Sequence, residues 1–265
     1  MAAVVVAPVH CLLIEGPDAR RFAQAQFSAD VRALQAGHWQ WNAWLDAHGR
    51  VQALMHLADL GGERLLAVLR GGKAERIRAD LGRYLMRSKA VLSVSDFHGY
   101  SDAALPSGHL ERDRHDFMIG LGSRSLRLRQ GASPPDPAAS EQWRLADINA
   151  GWPTLPPDGG HFLPPALGLG RLGAISFEKG CYPGQEIVAR LHYRGVHKRR
   201  LCHLRGPTML EPGTVPGPAG DNSVQVLDCV WSEGSMEILA VVPETIDSKI
   251  IILNNTYHVV SAFDA

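Results

Sequence analysis

Phe177-Glu178-Lys179-Gly180-Cys181-Tyr182-Pro183-Gly184-Gln185-Glu186 sets a thiol between two glycines four residues apart, with Lys179 close beside it. Glycine permits backbone angles closed to other residues, and a nearby cation favours the thiolate. The segment therefore suits a reactive or metal-binding sulfur presented on a tight loop. A buried structural cysteine in a turn uses the same residues equally well, because free cysteine is among the most buried residue types. Spacing alone leaves both readings open.

The flanks say what surrounds this segment. Proline-rich residues 153–165 and a glycine-rich run lead into it, which predicts an irregular, positioned loop. Gly168-x-Gly170-x-x-Gly173 has the form of a dinucleotide fingerprint, but it follows Pro164-Pro165 instead of a strand and lacks a βαβ unit. From Arg200 onward, short apolar runs at 223–227, 236–242, 250–253 and 257–263 alternate with Gly, Pro, Asn and Asp turns, a pattern that a small β-barrel or sandwich closes. The first half reads as mixed α/β. Residues 10–14 and 64–69 predict strands, Pro17-Asp18 a helix start, and Ala74, Ile77, Leu81 and Leu85 one buried helical face. Residues 90–97 and 117–121 predict further strands. Residues 130–141, rich in Pro, Ala and Ser, neither pair in a sheet nor hold a helix on this reading and predict a linker. The pattern divides the chain into an α/β region over 1–200 and a small β-barrel or sandwich over 201–265.

Composition excludes several classes. The chain has 265 residues with 27 basic against 27 acidic side chains, so no global field draws it to nucleic acid or an anionic membrane, and neither DNA nor membrane is an expected partner. No apolar run approaches the roughly 20 residues that cross a bilayer, and the opening lacks a basic start and cleavage pattern, so a cytoplasmic location is expected. Cys11, Cys181, Cys202 and Cys229 form no C-x-x-C pair and are expected to be reduced, and the twelve histidines show no zinc spacing, so no resident metal is expected. Residues 190–205 hold Arg190, Arg194, Lys198, Arg199, Arg200 and Arg205 with His192, His197 and His203 between them. That segment reads either as an anion-receiving patch or as a solvated strand face.

Lys179-Gly180-Cys181-Tyr182-x-Gly184-Gln185-Glu186, followed by Val188-Ala189-Arg190, Tyr193-Arg194-Gly195 and Lys198-Arg199, resembles the signature of the YgfZ family. Upstream support comes from Gln24-x-Gln26-x-Ser28-Ala29-Asp30-Val31, Leu45-Asp46-Ala47-x-Gly49-Arg50-Val51, Arg83-Tyr84-Leu85-x-Arg87-Ser88-Lys89 and Ile148-Asn149-Ala150-Gly151-Trp152-Pro153. The resemblance implies an α+β, three-lobed fold like the aminomethyltransferase T-protein, arranged around a folate-binding opening. It places Ala53 and Leu54 where the T-protein carries a pair of aspartates, so transferase acid–base chemistry lacks its proton carrier and an enzyme is the less favoured reading. It implies that Trp143 contacts folate, where a plain core tryptophan is the alternative, and puts Val9 in the place of a second family tryptophan. Asp30 becomes a candidate for the pterin, or simply a helix cap. Tyr182, Gln185 and Glu186 would shape the loop or bind polar ligand groups, with Arg190 pairing Glu186 or a ligand carboxylate.

The function implied is a folate-binding accessory protein for iron–sulfur cluster assembly or repair that affects tRNA modification indirectly. Tetrahydrofolate or a derivative is the expected cofactor, Cys181 the functional thiol with Lys179 favouring its ionised form, and Gly180 and Gly184 the motif support. Any cluster is transient and shared with a partner, an iron–sulfur enzyme or cluster carrier, because one cysteine cannot hold it alone. The alternative is a folate-dependent one-carbon transferase or demethylating enzyme.

Overall fold

The computed structural model describes residues 4–131, 133–159, 161–195, 198–217 and 223–264. The chain runs β1 (Val4–Glu15), α1 (Ala19–Gln26), β2 (Trp39–Leu45), β3 (Val51–Gly61), β4 (Arg64–Leu69), α2 (Ala74–Gly82), β5 (Val91–Asp102), β6 (Leu110–Asp113), β7 (Asp116–Gly120) and β8 (Ser125–Arg129). These eight strands form one sheet in the order β2-β3-β4-β1-β5-β8-β7-β6. Alternation along β1 sends Val9 and Cys11 to one face and Leu12 and Ile14 to the other, so each face builds its own core. The face with Leu12 packs on α1 and α2 through Phe22, Ala23, Ile77 and Leu81. Helix α2 ends at Gly82, so Leu85 lies beyond the predicted helical face and packs on this core from a turn.

Two elements then return across the opposite face: α3 (Pro137–Ala150), and the segment from Gly151 through a short 3-10 helix at Pro164–Leu167 to α4 (Gln185–Arg194). The linker expected over 130–141 gives way to helix at Pro137. Proline tolerates the first helical position, and the Asp136 side chain caps the turn by accepting from the Ala139 amide at 2.8 Å. Ala132 of that stretch lies outside the described residues.

The remaining strands are β9 (Arg199–Gly206), β10 (Gly213–Val215), β11 (Val224–Ser232), β12 (Ser235–Pro243), β13 (Lys249–Ile252) and β14 (Asn255–Phe263). They form a curled sheet in the order β10-β11-β12-β9-β14-β13, and among the described residues no pairing joins β10 to β13. The closed barrel is therefore not what the pairing shows, and strand outweighs helix more than an α+β mix implies. Leu201, Leu227, Leu239 and Val241 of this sheet share one apolar cluster with Val9, Trp143 and Tyr182, so the two sheets meet around α3 and the cysteine segment. Among the described residues, no helix is long and apolar enough to cross a membrane.

Candidate functional site

The cysteine loop is fixed by residues far away in sequence. Ser28 sits after α1, donates from Oγ to the Ala174 carbonyl at 2.7 Å, and accepts the Ser176 amide on its own carbonyl at 2.9 Å. Lys179 is only 5% exposed. Its Nζ donates to the carbonyls of Gln24 at 2.6 Å, Ala29 at 3.1 Å and Phe27. These carbonyls lie where the chain leaves α1, so the ammonium ties the loop to the end of the helix. Burial draws the Lys179 pKa down to about 8, with Asp30 opposing and Arg32 reinforcing the shift. The three donors of Lys179 are taken by main-chain oxygens, as a buried ammonium requires, so its visible role is to anchor the loop. Tyr182 is buried, with its ring centroid 5.2 Å from Lys179 Nζ and its hydroxyl donating to the Ser176 carbonyl at 3.3 Å. Burial pushes its phenol up to about 12.

Gly184 starts α4 at φ +76°, where an added Cβ would lie 2.5 Å from the Asp46 carbonyl oxygen and 2.7 Å from Gly49 Cα. The β2–β3 turn and the first turn of α4 thus touch backbone to backbone. On α4, Gln185 is half-buried while Glu186 and Arg190 are exposed, and among the described residues no ion pair joins those two as expected.

Cys181 itself is exposed, in contrast to buried Cys11 and Cys202 and part-buried Cys229. Burial raises the thiol pKa of the other three, that of Cys202 to about 11. The accessible sulfur is the one in the motif. Asp30 forms a bidentate pair with Arg32, through Nη2 at 2.7 Å and Nε at 3.0 Å. Hydrogen bonding from Arg32 holds the Asp30 carboxyl down to about 2, and its helix-capping alternative is not what these contacts show.

Trp143 belongs to a second group. It is 8% exposed on α3 and lines a cavity of about 330 Å³ bounded by β1, β3, β4, α3 and β11. The Arg124 guanidinium carbon stands 3.9 Å from its ring centroid. Arg70 Nη1 meets Asp147 at 2.9 Å, Arg124 pairs with the same carboxylate, and Arg144 Nε meets Asp228 at 2.9 Å. Arg70, Arg144, Asp147 and Asp228 line the cavity in balanced number, and Arg124 stands behind the wall, against Trp143 and Asp147. Val9, noted as standing for a tryptophan, lines the same cavity, and Ala53 and Leu54 are fully buried without a carboxylate. Trp143 is thus a core residue and a cavity wall together.

The structure assembles Asp30, Lys179, Tyr182 and Gly184 about the loop, and Trp143, Arg70, Asp147 and Asp228 about the cavity. The two groups share one apolar cluster, and among the described residues no hydrogen bond joins them. Arg70 and Asp228 escape a reading of the sequence, since each follows or interrupts an apolar stretch with no motif around it, and Asp147 stands one residue ahead of the Ile148–Pro153 stretch without being part of it. The basic segment is not one patch. Arg199 donates to the Ser223 carbonyl at 2.7 Å, and buried His203 and exposed Arg205 both bind Glu237 at 2.5 Å. His197 and the Arg194 side chain lie outside the described residues. Lys198 and Arg199 line a larger opening of about 680 Å³ beside Phe162 and Leu191. Among the described residues, no group of three or more His, Cys, Asp or Glu is placed to hold a metal ion.

No protein-family model matches the chain. It is 31% identical over 242 residues to the tRNA-modifying protein YgfZ of Pectobacterium carotovorum subsp. carotovorum, covering 80% of this chain and 71% of the relative. It is 30% identical over 226 residues to the tRNA-modifying protein YgfZ of Escherichia coli, covering 73% of this chain and 68% of the relative. The glycine cleavage system aminomethyltransferase T from Bartonella henselae superposes with a TM-score of 0.74 over 98% of this chain and 84% of its own, at 15% identity. At that identity the superposition establishes the shared fold.

Proposed function

The chain belongs to the YgfZ family of tRNA-modifying proteins, and from that premise we propose that it binds a reduced folate and serves iron–sulfur cluster assembly or repair, touching tRNA modification through the enzymes it maintains. The observation that carries the folate reading is the cavity walled by Trp143. An indole offers a surface for a flat pterin or aminobenzoyl ring, and the half-exposed Arg144 guanidinium suits a ligand with glutamate carboxylates. Half-exposed Arg144 pairs with Asp228 at the outer part of this wall, where a carboxylate tail can compete for it.

The residues also speak to chemistry. Asp147 and Asp228 are the carboxylates that line the cavity, and both are engaged by arginines, while Ala53 and Leu54 carry no proton. The site binds and orients; among the described residues no carboxylate in it is free to shuttle a proton in a one-carbon transfer. Cys181, exposed on an anchored loop, is the sulfur available to a partner. A cluster handed through this position is cargo. Cys181 contributes one thiolate, and the partner supplies the rest.

Titration of tetrahydrofolate into the wild type and Trp143→Ala tests the reading. Loss of the stacking surface weakens binding roughly tenfold or more, and absence of binding by the wild type refutes it. Cys181→Ser is expected to unfold at the wild-type temperature, because the side chain is exposed, yet to fail to support cluster-dependent enzymes in cells lacking the protein. Full support by that variant removes the thiol from the mechanism. Formation of methylene-folate or formaldehyde from methylated amines by the purified protein would instead favour the one-carbon enzyme.

A further inference from the structure

His56 lies on β3, in register with Trp41 on β2 and Val68 on β4. It lines the Trp143 cavity and is 1% exposed, and neither ring nitrogen has a hydrogen-bond partner. The ring is held in an aromatic box. Its centroid is 4.4 Å from Trp39, 4.2 Å from Trp41 in an edge-on arrangement, and 6.2 Å from Trp152. Buried polar groups in folded proteins almost always find partners, so a completely buried imidazole with neither nitrogen satisfied is a standing cost to the fold. The cost is concentrated at a cavity wall, where something entering the cavity can relieve it.

The geometry points to His56 as a further ligand-binding residue, which hydrogen-bonds the polar edge of the heteroaromatic ring that the cavity receives. This rests on the folate reading above and specifies which part of the ligand the deep end recognises. Burial, with Arg70 and Arg124 adding to it, holds the imidazole well below its ordinary pKa and therefore neutral. A neutral imidazole presents one N–H donor and one bare acceptor on the same ring. That pair matches a ring edge that also carries a donor and an acceptor, as a pterin does, and offers little to a carboxylate or to an aliphatic chain. Near His56 the Arg70–Asp147 pair is buried and satisfied within itself, and the exposed charge lies elsewhere on the wall. The Arg144 side chain is 42% exposed at the mouth, and Asp228, its partner, is 16% exposed. The half-exposed cation at the mouth and the buried His56 with its aromatic backing define the two ends of the site. Both ring nitrogens are shielded even from water, so contact requires the His56 ring to turn toward the cavity as the ligand enters, meeting it directly or through one water.

The test uses His56→Leu, which removes both polar atoms, and His56→Gln, which keeps a donor and an acceptor. Each is titrated with tetrahydrofolate, with a free tetrahydropterin and with p-aminobenzoylglutamate, beside the wild type and Trp143→Ala. His56→Leu is expected to weaken tetrahydrofolate and tetrahydropterin roughly tenfold, to leave p-aminobenzoylglutamate unchanged, and to unfold at no lower a temperature than the wild type, since it removes unsatisfied groups. His56→Gln is expected to recover part of the loss. If the wild type binds tetrahydrofolate and Trp143→Ala weakens it while both His56 variants bind like the wild type, the folate reading stands and the role of His56 is overturned. That role is equally overturned if His56→Leu weakens all three probes alike or if both variants unfold early, because either result marks a packing residue. If the wild type binds none of the probes, both readings fall together.

Discussion

Gly184→Ala is expected to destabilise the fold by about 3 kcal/mol or more, measured as a lower midpoint of chemical denaturation. Two effects add. The residue stands at φ +76°, where a side chain is strained, and its Cβ would come within 2.5 Å of the Asp46 oxygen, 2.7 Å of Gly49 Cα and 2.9 Å of Gly49 N. All three atoms are backbone, so no rotamer change removes the overlap. Strain alone could be eased by asparagine, which tolerates left-handed angles, but the clash is made by Cβ and asparagine carries one too. Gly180→Ala is the control. Nothing lies within 4 Å of its Cβ, and its stability is expected to stay within about 0.5 kcal/mol of the wild type. Equal losses at the two glycines would show that the close approach of the β2–β3 turn to α4 does not govern the fold.

Lys179→Met is expected to cost about 2–4 kcal/mol, because the carbonyls of Gln24, Phe27 and Ala29 lose their shared donor while remaining covered. Methionine keeps the length and bulk of the stem, so the loss reports the hydrogen bonds and not a cavity. The wild type also carries a titration that the variant lacks. The folded pKa is about 8 against an ordinary value of 10.5, so between these values the unfolded chain binds more protons than the native one. Stability from this group therefore rises as pH climbs from about 8 towards 10.5. The gap between wild type and variant should widen when denaturation is compared at about pH 7.5 and about pH 9.5. A gap that narrows with rising pH contradicts the assignment of the lowered pKa to Lys179.

Much of the fold was legible because burial writes a period into the sequence. The strand at Arg64–Leu69 and the helical face of Ala74, Ile77 and Leu81 appear where the spacing puts them. The terminal strands follow the same logic, with apolar runs punctuated by turns. Helix α3 was hidden by its own start: Pro137 reads as a breaker in a run of Ala, Ser and Pro, although at the first helical position it is compatible with the helix. Strands β2 and β3 were obscured because both faces of that hairpin are buried, which replaces alternation by a continuous apolar run.

The candidate site divides in the same way. The cysteine loop was legible through its glycines and its ordered motif, but the purpose of Lys179 was not. A lysine next to a cysteine in sequence says nothing about where four methylenes carry the charge, and here they carry it to the carbonyls of Gln24, Phe27 and Ala29. The cavity was visible in sequence only as Trp143 and Val9. Arg70, Arg124 and Asp147 are brought together from the end of β4, the turn before β8 and the last turns of α3, a convergence that no local pattern encodes.

The backbone contact between Gly49 and Gly184, together with the Lys179 cradle, has a consequence for how the exposed sulfur meets other molecules. Loop and hairpin cannot part without breaking the contacts that hold both, so amide exchange in residues 24–31, 46–49 and 176–185 should proceed through one shared opening event. The thiol rides on a stiff mount. A partner docking at Cys181, as proposed above, would find the thiol already in place and would have to be shaped to it, with little adjustment left to the side that carries the cysteine.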